Sequence, residues 1–240
     1  MSERKRGKGQ LILMILIVII SFAVFMQSSF FNITKISVVG AKELGVNEVI
    51  NLTDIKPGQN LFKVNIKEAN ENLKLHPWIN EVNVKRKFPS TLEINLTEHT
   101  AVAVVIVENK YAVVEENGMI LEYTDNLASV LIPIITGARM KEKITYGEQI
   151  QEEAILRALA IANKTPPEIY NILSEINVTN NGNIVVFLTN GLHIRLGSAK
   201  QAGENMERAI ELLNELDTNI AEIAYIDLRF NGPPVISYGQ

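Results

Sequence analysis

Apolar and polar positions along this chain follow three successive patterns. From Leu11 to Phe31, "LILMILIVIISFAVFMQSSFF", no charge interrupts the apolar side chains, and the charge-free run reaches from Gly9 to Thr34. These 21 residues, at about 1.5 Å each, make a helix of roughly 31 Å, close to the hydrocarbon thickness of a bilayer. The pattern predicts one membrane-spanning helix. A cleaved signal peptide has a shorter apolar stretch and a small-residue cleavage site, and no Ala-x-Ala-like site follows here.

Beyond the anchor the period falls to two. "ISVVGA" reads as a strand with Ile36 and Val38 on one side, and "VNEVINLT" as a short helix. After a Pro-Gly turn in "IKPGQNLF", Asn65 followed by Glu68 marks a capping box, and Ile66, Ala69 and Leu73 share one helical face. His76-Pro77 ends that helix, because the residue before proline avoids the helical region. "HPWINEVNVKRKFPSTLEINLTEH" alternates on both sides of Phe-Pro-Ser, with Val82, Val84, Leu92, Ile94 and Leu96 inward, and predicts a hairpin with Pro89 in its turn. Residues 32–99 are thus expected to fold as β-α-α-β-β, a three-stranded sheet covered by two helices. Trp78, the single tryptophan, is expected to anchor that packing.

Residues 100–240 have a third texture. "VAVVIVENKYAVVEENGMILEY" predicts a three-strand meander, followed by a loop containing "IPIITG". A helix with Ile150, Ala154, Ala158 and Ala162 on one side comes next, then a second capping box at Thr165 to Glu168. "NIVVFLTNGLHIRLG" reads as a hairpin about Asn190-Gly191. The last helix turns Ala202, Met206, Ala209, Leu213 and Leu216 to a core, and "YIDLRFNGPPVISYGQ" closes the chain as strand, turn and strand. Its alternation places Ile226, Leu228 and Phe230 inward and Tyr225, Asp227 and Arg229 outward. A terminal strand of this kind can lie at a sheet edge and accept an added strand, or be protected there by Pro233-Pro234. The fold class expected is α+β: a tail at 1–10, a transmembrane helix at 11–31, the small domain at 32–99, and a larger, mostly antiparallel domain at 100–240.

Charge sets an orientation. Arg4, Lys5, Arg6 and Lys8 oppose only Glu3 before the span, which predicts a cytoplasmic N-terminus. With those residues set aside, 19 of the 23 basic and 26 of the 27 acidic residues remain, so the outer part carries about −7 and gives no support to nucleic-acid binding. An apolar share of 47% is enough for a core, and without cysteine there are neither disulfides nor thiolate metal sites. His76, His99 and His193 lack metal or triad spacing, neither phosphate-loop pattern occurs, and the acid pairs Glu115-Glu116 and Glu152-Glu153 read as solvated surface. Neither catalytic residues nor a cofactor is expected. Lys85, Arg86 and Lys87 read either as a solvated hairpin end that discourages edge pairing, or as a secondary contact for acidic lipid or an acidic partner.

"ISVVGA", "IKPGQNLFKVN", the hairpin sequence, "YAVVEENGMIL", "IPIITG" and "YIDLRF" occur in the order found in bacterial FtsQ and DivIB cell-division proteins, and the chain resembles that family over nearly its whole length. The resemblance implies that 32–99 is a POTRA domain and 100–240 the family's β-domain. It also implies a non-enzymatic scaffold at the division septum that binds FtsB-like (DivIC-like) and FtsL-like proteins and other divisome components, and helps control septal wall synthesis. By position, Arg229, Phe230, Asn231, Gly232, Val235, Ile236 and Tyr238 would form the partner site. Two other readings compete. A POTRA protein of an outer-membrane assembly system needs a cleaved signal and a C-terminal barrel, whereas two helices are predicted after residue 100. A membrane-tethered hydrolase needs a nucleophile and base, for which no recognisable setting exists.

Overall fold

Residues 3–107, 110–127, 131–138, 144–179, 181–216 and 222–239 are described by a computed structural model. The chain divides into two compact units, 1–98 and 99–240.

The first unit begins with helix α1 (Glu3–Met26), whose apolar window Gly9–Met26 is long enough to cross a membrane and has none of its residues buried. A helix of a soluble core would hide that surface. A single 3₁₀ turn at Ser29–Phe31 leads to β1 (Lys35–Val39), α2 (Val46–Leu52), α3 (Ile66–Lys74), β2 (Ile79–Lys87) and β3 (Thr91–Glu98), the β-α-α-β-β order expected. The sheet order is β1-β3-β2, with Ile36 beside Leu92 in the parallel pair and Val84 beside Ile94 in the antiparallel pair. Leu73, Val84, Leu92 and Ile94 are buried together with Trp78. Asn65 caps α3 by accepting from the Glu68 backbone N–H at 3.2 Å, while the Glu68 carboxylate accepts from the Asn65 amide instead of its backbone N–H. At the outer edge of β2 the Val84 N–H donates to Asn70 Oδ1 at 3.1 Å, which satisfies one donor of an edge strand.

The second unit runs β4 (Ala103–Val107), β5 (Lys110–Val114), β6 (Ile120–Thr124), β7 (Ile134–Thr136), α4 (Glu153–Lys164), α5 (Pro167–Tyr170), β8 (Leu173–Val178), β9 (Asn183–Leu188), β10 (His193–Ser198), α6 (Ala202–Glu215), β11 (Ile223–Asp227) and β12 (Val235–Tyr238). They form one nine-stranded sheet in the order β12-β11-β10-β9-β8-β7-β4-β5-β6. Five of its eight pairings are antiparallel, so the α+β class with a mostly antiparallel second region is observed. Ile155, Leu159, Met206 and Ala209 from α4 and α6 join Ile135, Ile176, Ile194 and Ile226 from the sheet in a continuous core.

Four local expectations are corrected. "IPIITG" is no loop, because Ile134–Thr136 forms the parallel strand between β4 and β8. Gly137 ends it at φ 78°, where a Cβ would stand 2.1 Å from the Val178 carbonyl oxygen. Strand β8 had no counterpart in the sequence reading, since a register shift between Leu173 and Glu175 breaks its alternation. Ile150 is buried but precedes α4, paired through its N–H to the Gly118 carbonyl. Thr165 does not cap α5: its hydroxyl donates back to the Ile161 carbonyl at 2.7 Å, closing α4.

Candidate functional site

The expected site lies where the sheet of the second unit ends. Strand β10 feeds α6, which returns the chain to β11 parallel to β10, with His193 beside Tyr225, Ile194 beside Ile226 and Arg195 beside Asp227. Ile194 and Ile226 face α6 and are buried, so His193, Arg195, Tyr225 and Asp227 share the opposite face of the sheet. Helix α6 also holds the turn beyond β11. The Asn205 amide donates to the carbonyls of Leu196 at 2.8 Å and Leu228 at 2.9 Å, and Arg208 Nη2 donates to the Gly232 carbonyl at 3.0 Å. From that turn β12 runs back antiparallel to β11, with Ile236 beside Ile226 and Val235 beside Asp227.

Among the described residues β12 has a neighbouring strand on one side only. The opposite edge differs: at the start of β6 the Ile120 N–H donates to the Glu148 carbonyl at 3.0 Å, and Met119 bridges Gln149. An open row of backbone donors and acceptors is what an added strand pairs with.

On the outer face, three rings run side by side across β9, β10 and β11, with a guanidinium over the last of them. Phe187 stacks on His193 at 5.7 Å between centroids, His193 lies 5.5 Å from Tyr225, and the Arg195 guanidinium sits 4.4 Å above the Tyr225 ring. Burial, reinforced by Arg195, lowers the His193 pKa, which keeps its imidazole neutral at neutral pH. Asp227 receives Arg229 Nε at 2.9 Å and Nη2 at 2.6 Å, with Arg195 Nη1 at 3.6 Å. The Arg229 hydrogen bonds hold the Asp227 carboxyl below its ordinary value despite burial, and the same contact raises Arg229. One carboxylate between two guanidiniums leaves one positive charge over.

One side chain of the expected site, Phe230, is placed otherwise than expected. Phe230 does not point inward: β11 ends at Asp227, the Gly232 N–H turns back to the Phe230 carbonyl at 2.8 Å, and the ring is 64% exposed, 5.5 Å from the Arg229 guanidinium. Asp227 lies outward as expected but is buried beneath the two arginines. Ile236 packs against the core, whereas Val235 and Tyr238 are exposed. Asn231 is exposed and Gly232 half-buried in the turn. The cations of the hairpin stand in the first unit and do not act alike. Lys85 is exposed, Lys87 is hydrogen-bonded to Glu93 and lowers its pKa, and Arg86 is structural, donating to the carbonyls of Leu61 at 2.7 Å and Val64 at 2.8 Å. Sequence reasoning passed over Arg195, Asn205 and Arg208. The alternation of β10 carries a signal for Arg195, but the other two depend on how α6 docks.

Residues 31–99 match the FtsQ-type POTRA domain, and residues 103–229 match the C-terminal region of the cell division protein FtsQ/DivIB. The chain belongs to the FtsQ/DivIB family. Cell division protein DivIB of Clostridium botulinum strain Hall is 26% identical over 240 residues, covering 98% of this chain and 92% of that protein. FtsQ of Geotalea daltonii is 24% identical over 230 residues, covering 90% and 78%. A solved extracytoplasmic domain of DivIB from Geobacillus stearothermophilus aligns at 19% identity over 51% of this chain and 98% of its own, with a TM-score of 0.35. Within the FtsQ/DivIB match Arg229 is the last residue, so Phe230 to Tyr238 extend beyond the matched stretch.

Proposed function

We propose that this FtsQ/DivIB family member is a membrane-anchored binding protein of the division machinery, and that a partner segment adds a strand to β12. The observation that carries the reading is a sheet edge with no further strand among the described residues, bordered by an exposed aromatic ring, Phe230, and by two guanidiniums, Arg195 and Arg229, that share the one carboxylate of Asp227. Family membership supplies the process, cell division. The partner proposed is an FtsB-like (DivIC-like) protein accompanied by an FtsL-like one. Its backbone would pair along Val235 to Tyr238, an apolar side chain would cover Phe230, and an acidic side chain would meet Arg229 and Arg195. Residues 1–10 would be cytoplasmic, the part of 11–31 that is helical, ending at Met26, would span the membrane, and the domains at 32–99 and 100–240 would stand outside at the septum, where holding partners together helps control wall synthesis. Binding is the proposed role; no catalysis is assigned.

Affinity of the full chain for the partner ectodomain tests this, with Phe230→Ala as the variant. An aromatic hot spot is worth about 2 kcal/mol, so binding should weaken roughly 30-fold. Because Phe230 is exposed, its melting temperature should not move. Unchanged affinity in a folded variant would remove Phe230 from the site.

A further inference from the structure

In the first unit no free linker separates the apolar helix from the domain that follows. Asn60 Nδ2 donates to the Met26 carbonyl at 3.0 Å, satisfying a C-terminal acceptor of α1. The Leu61 N–H donates to the Phe31 carbonyl, the Ile33 N–H to the Gln59 carbonyl and the Gly58 N–H to the Ile33 carbonyl, each at 2.8 Å. Alongside this seam five rings form an unbroken series. Phe25 in the last turn of α1 lies 6.0 Å from Phe30 and 5.2 Å from Phe31, Phe31 lies 5.0 Å from Phe62, and Phe62 lies 5.3 Å from Phe88 at the tip of the β2–β3 hairpin.

Beyond Phe25 of α1 itself, which is 51% exposed, two of these rings are open: Phe30 is 57% exposed and Phe88 61% exposed. The 18-residue window Gly9–Met26 spans about 27 Å, slightly less than a hydrocarbon core of about 30 Å. Phe30 lies in the turn just after that window, and the ring series links Phe88 to the same end of α1 through Phe62 and Phe31. Lys63 and Lys87 adjoin Phe62 and Phe88 in sequence, and both are exposed although Lys87 is hydrogen-bonded to Glu93. Apolar rings with cations beside them match the boundary between acyl chains and phosphates.

We propose that Phe30, Phe31, Phe62 and Phe88 form a seat that enters the lipid boundary at the C-terminal end of α1, holding the β-α-α-β-β domain against the bilayer. The occupant of the exposed aromatic surface is the membrane itself, and the argument for it is continuity of the ring series with the spanning helix. This rests on the anchored reading of α1 proposed above.

The chain has no cysteine, so a nitroxide can be attached at single introduced sites. Full-length Val18→Cys, Phe30→Cys, Phe88→Cys and Leu75→Cys would be labelled in vesicles of phosphatidylglycerol and phosphatidylethanolamine, and collision with oxygen compared with collision with a water-soluble nickel chelate. Leu75, 82% exposed just after α3, serves as the aqueous reference. Labels at 30 and 88 should lie about 5–10 Å below the phosphates, with 18 deeper and 75 in water. A label at 88 as open to nickel as that at 75, with 18 deep, would overturn the seat while leaving the anchor intact. Dipolar broadening at 88 would also overturn it, by showing a second copy over the ring. A label at 18 that is open to nickel would overturn both readings.

Discussion

The Arg229 guanidinium lies against the Asp227 carboxylate two residues earlier, with Nη2 2.6 Å from Oδ2 and Nε 2.9 Å from Oδ1. The arginine that family resemblance assigns to a partner's acid is therefore already held by an acid of its own strand end. This pair orients Arg229 at the margin of β12, and Arg195, 3.6 Å from the same carboxylate, supplies the charge left over.

Asp227→Asn should cost about 1–2 kcal/mol, since the carboxylate is buried but its arginine partners are partly screened by solvent. Because the Arg229 hydrogen bonds depress the folded-state pKa of Asp227, the native state takes up this proton later than the unfolded chain does. The stabilisation is complete above the unfolded value of about 3.9 and fades as pH falls through the lower folded value. Urea unfolding followed from neutral to acid pH should show wild type losing more stability in that window than Asp227→Asn. Parallel acid profiles would mean that the pair contributes nothing.

Arg86→Ala should destabilise the first unit by about 2 kcal/mol, because the carbonyls of Leu61 and Val64 lose their donors. Arg86→Lys should restore little, as an ammonium lacks the fork that reaches both. Thermal unfolding checks this, and full rescue by lysine would show that charge alone matters at the site.

Val84 is 3% exposed and faces the helices, whereas Lys85 faces solvent. Val84→Asp should cost about 3 kcal/mol or more by burying an unpaired charge, while Lys85→Asp should stay within about 0.5 kcal/mol. Comparable losses in a denaturant titration would contradict the assigned faces.

The β2–β3 hairpin was legible because its strands, Ile79–Lys87 and Thr91–Glu98, are long enough for a period of two to repeat. Strand β7 was not, since three residues between a proline and a glycine carry no period, and its place in the sheet comes from flanking β4 and β8. At the candidate site the edge position of β12 was readable, and the openness of that edge was one of two alternatives, protection by Pro233-Pro234 being the other. The outward turn of Phe230 was not, because alternation holds only while a strand continues, and β11 stops at Asp227. Arg208, which fixes the Gly232 carbonyl from 24 residues away, depends on the docking of α6 and leaves no local pattern.

Strand addition at β12 is tested most directly by hydrogen exchange of the full chain with and without the partner ectodomain. The outward amides of Val235–Tyr238 should slow by about tenfold or more on binding, while those of Ile120–Thr124 at the opposite edge keep their rates. Partner binding that leaves β12 unchanged and protects another segment would contradict the account.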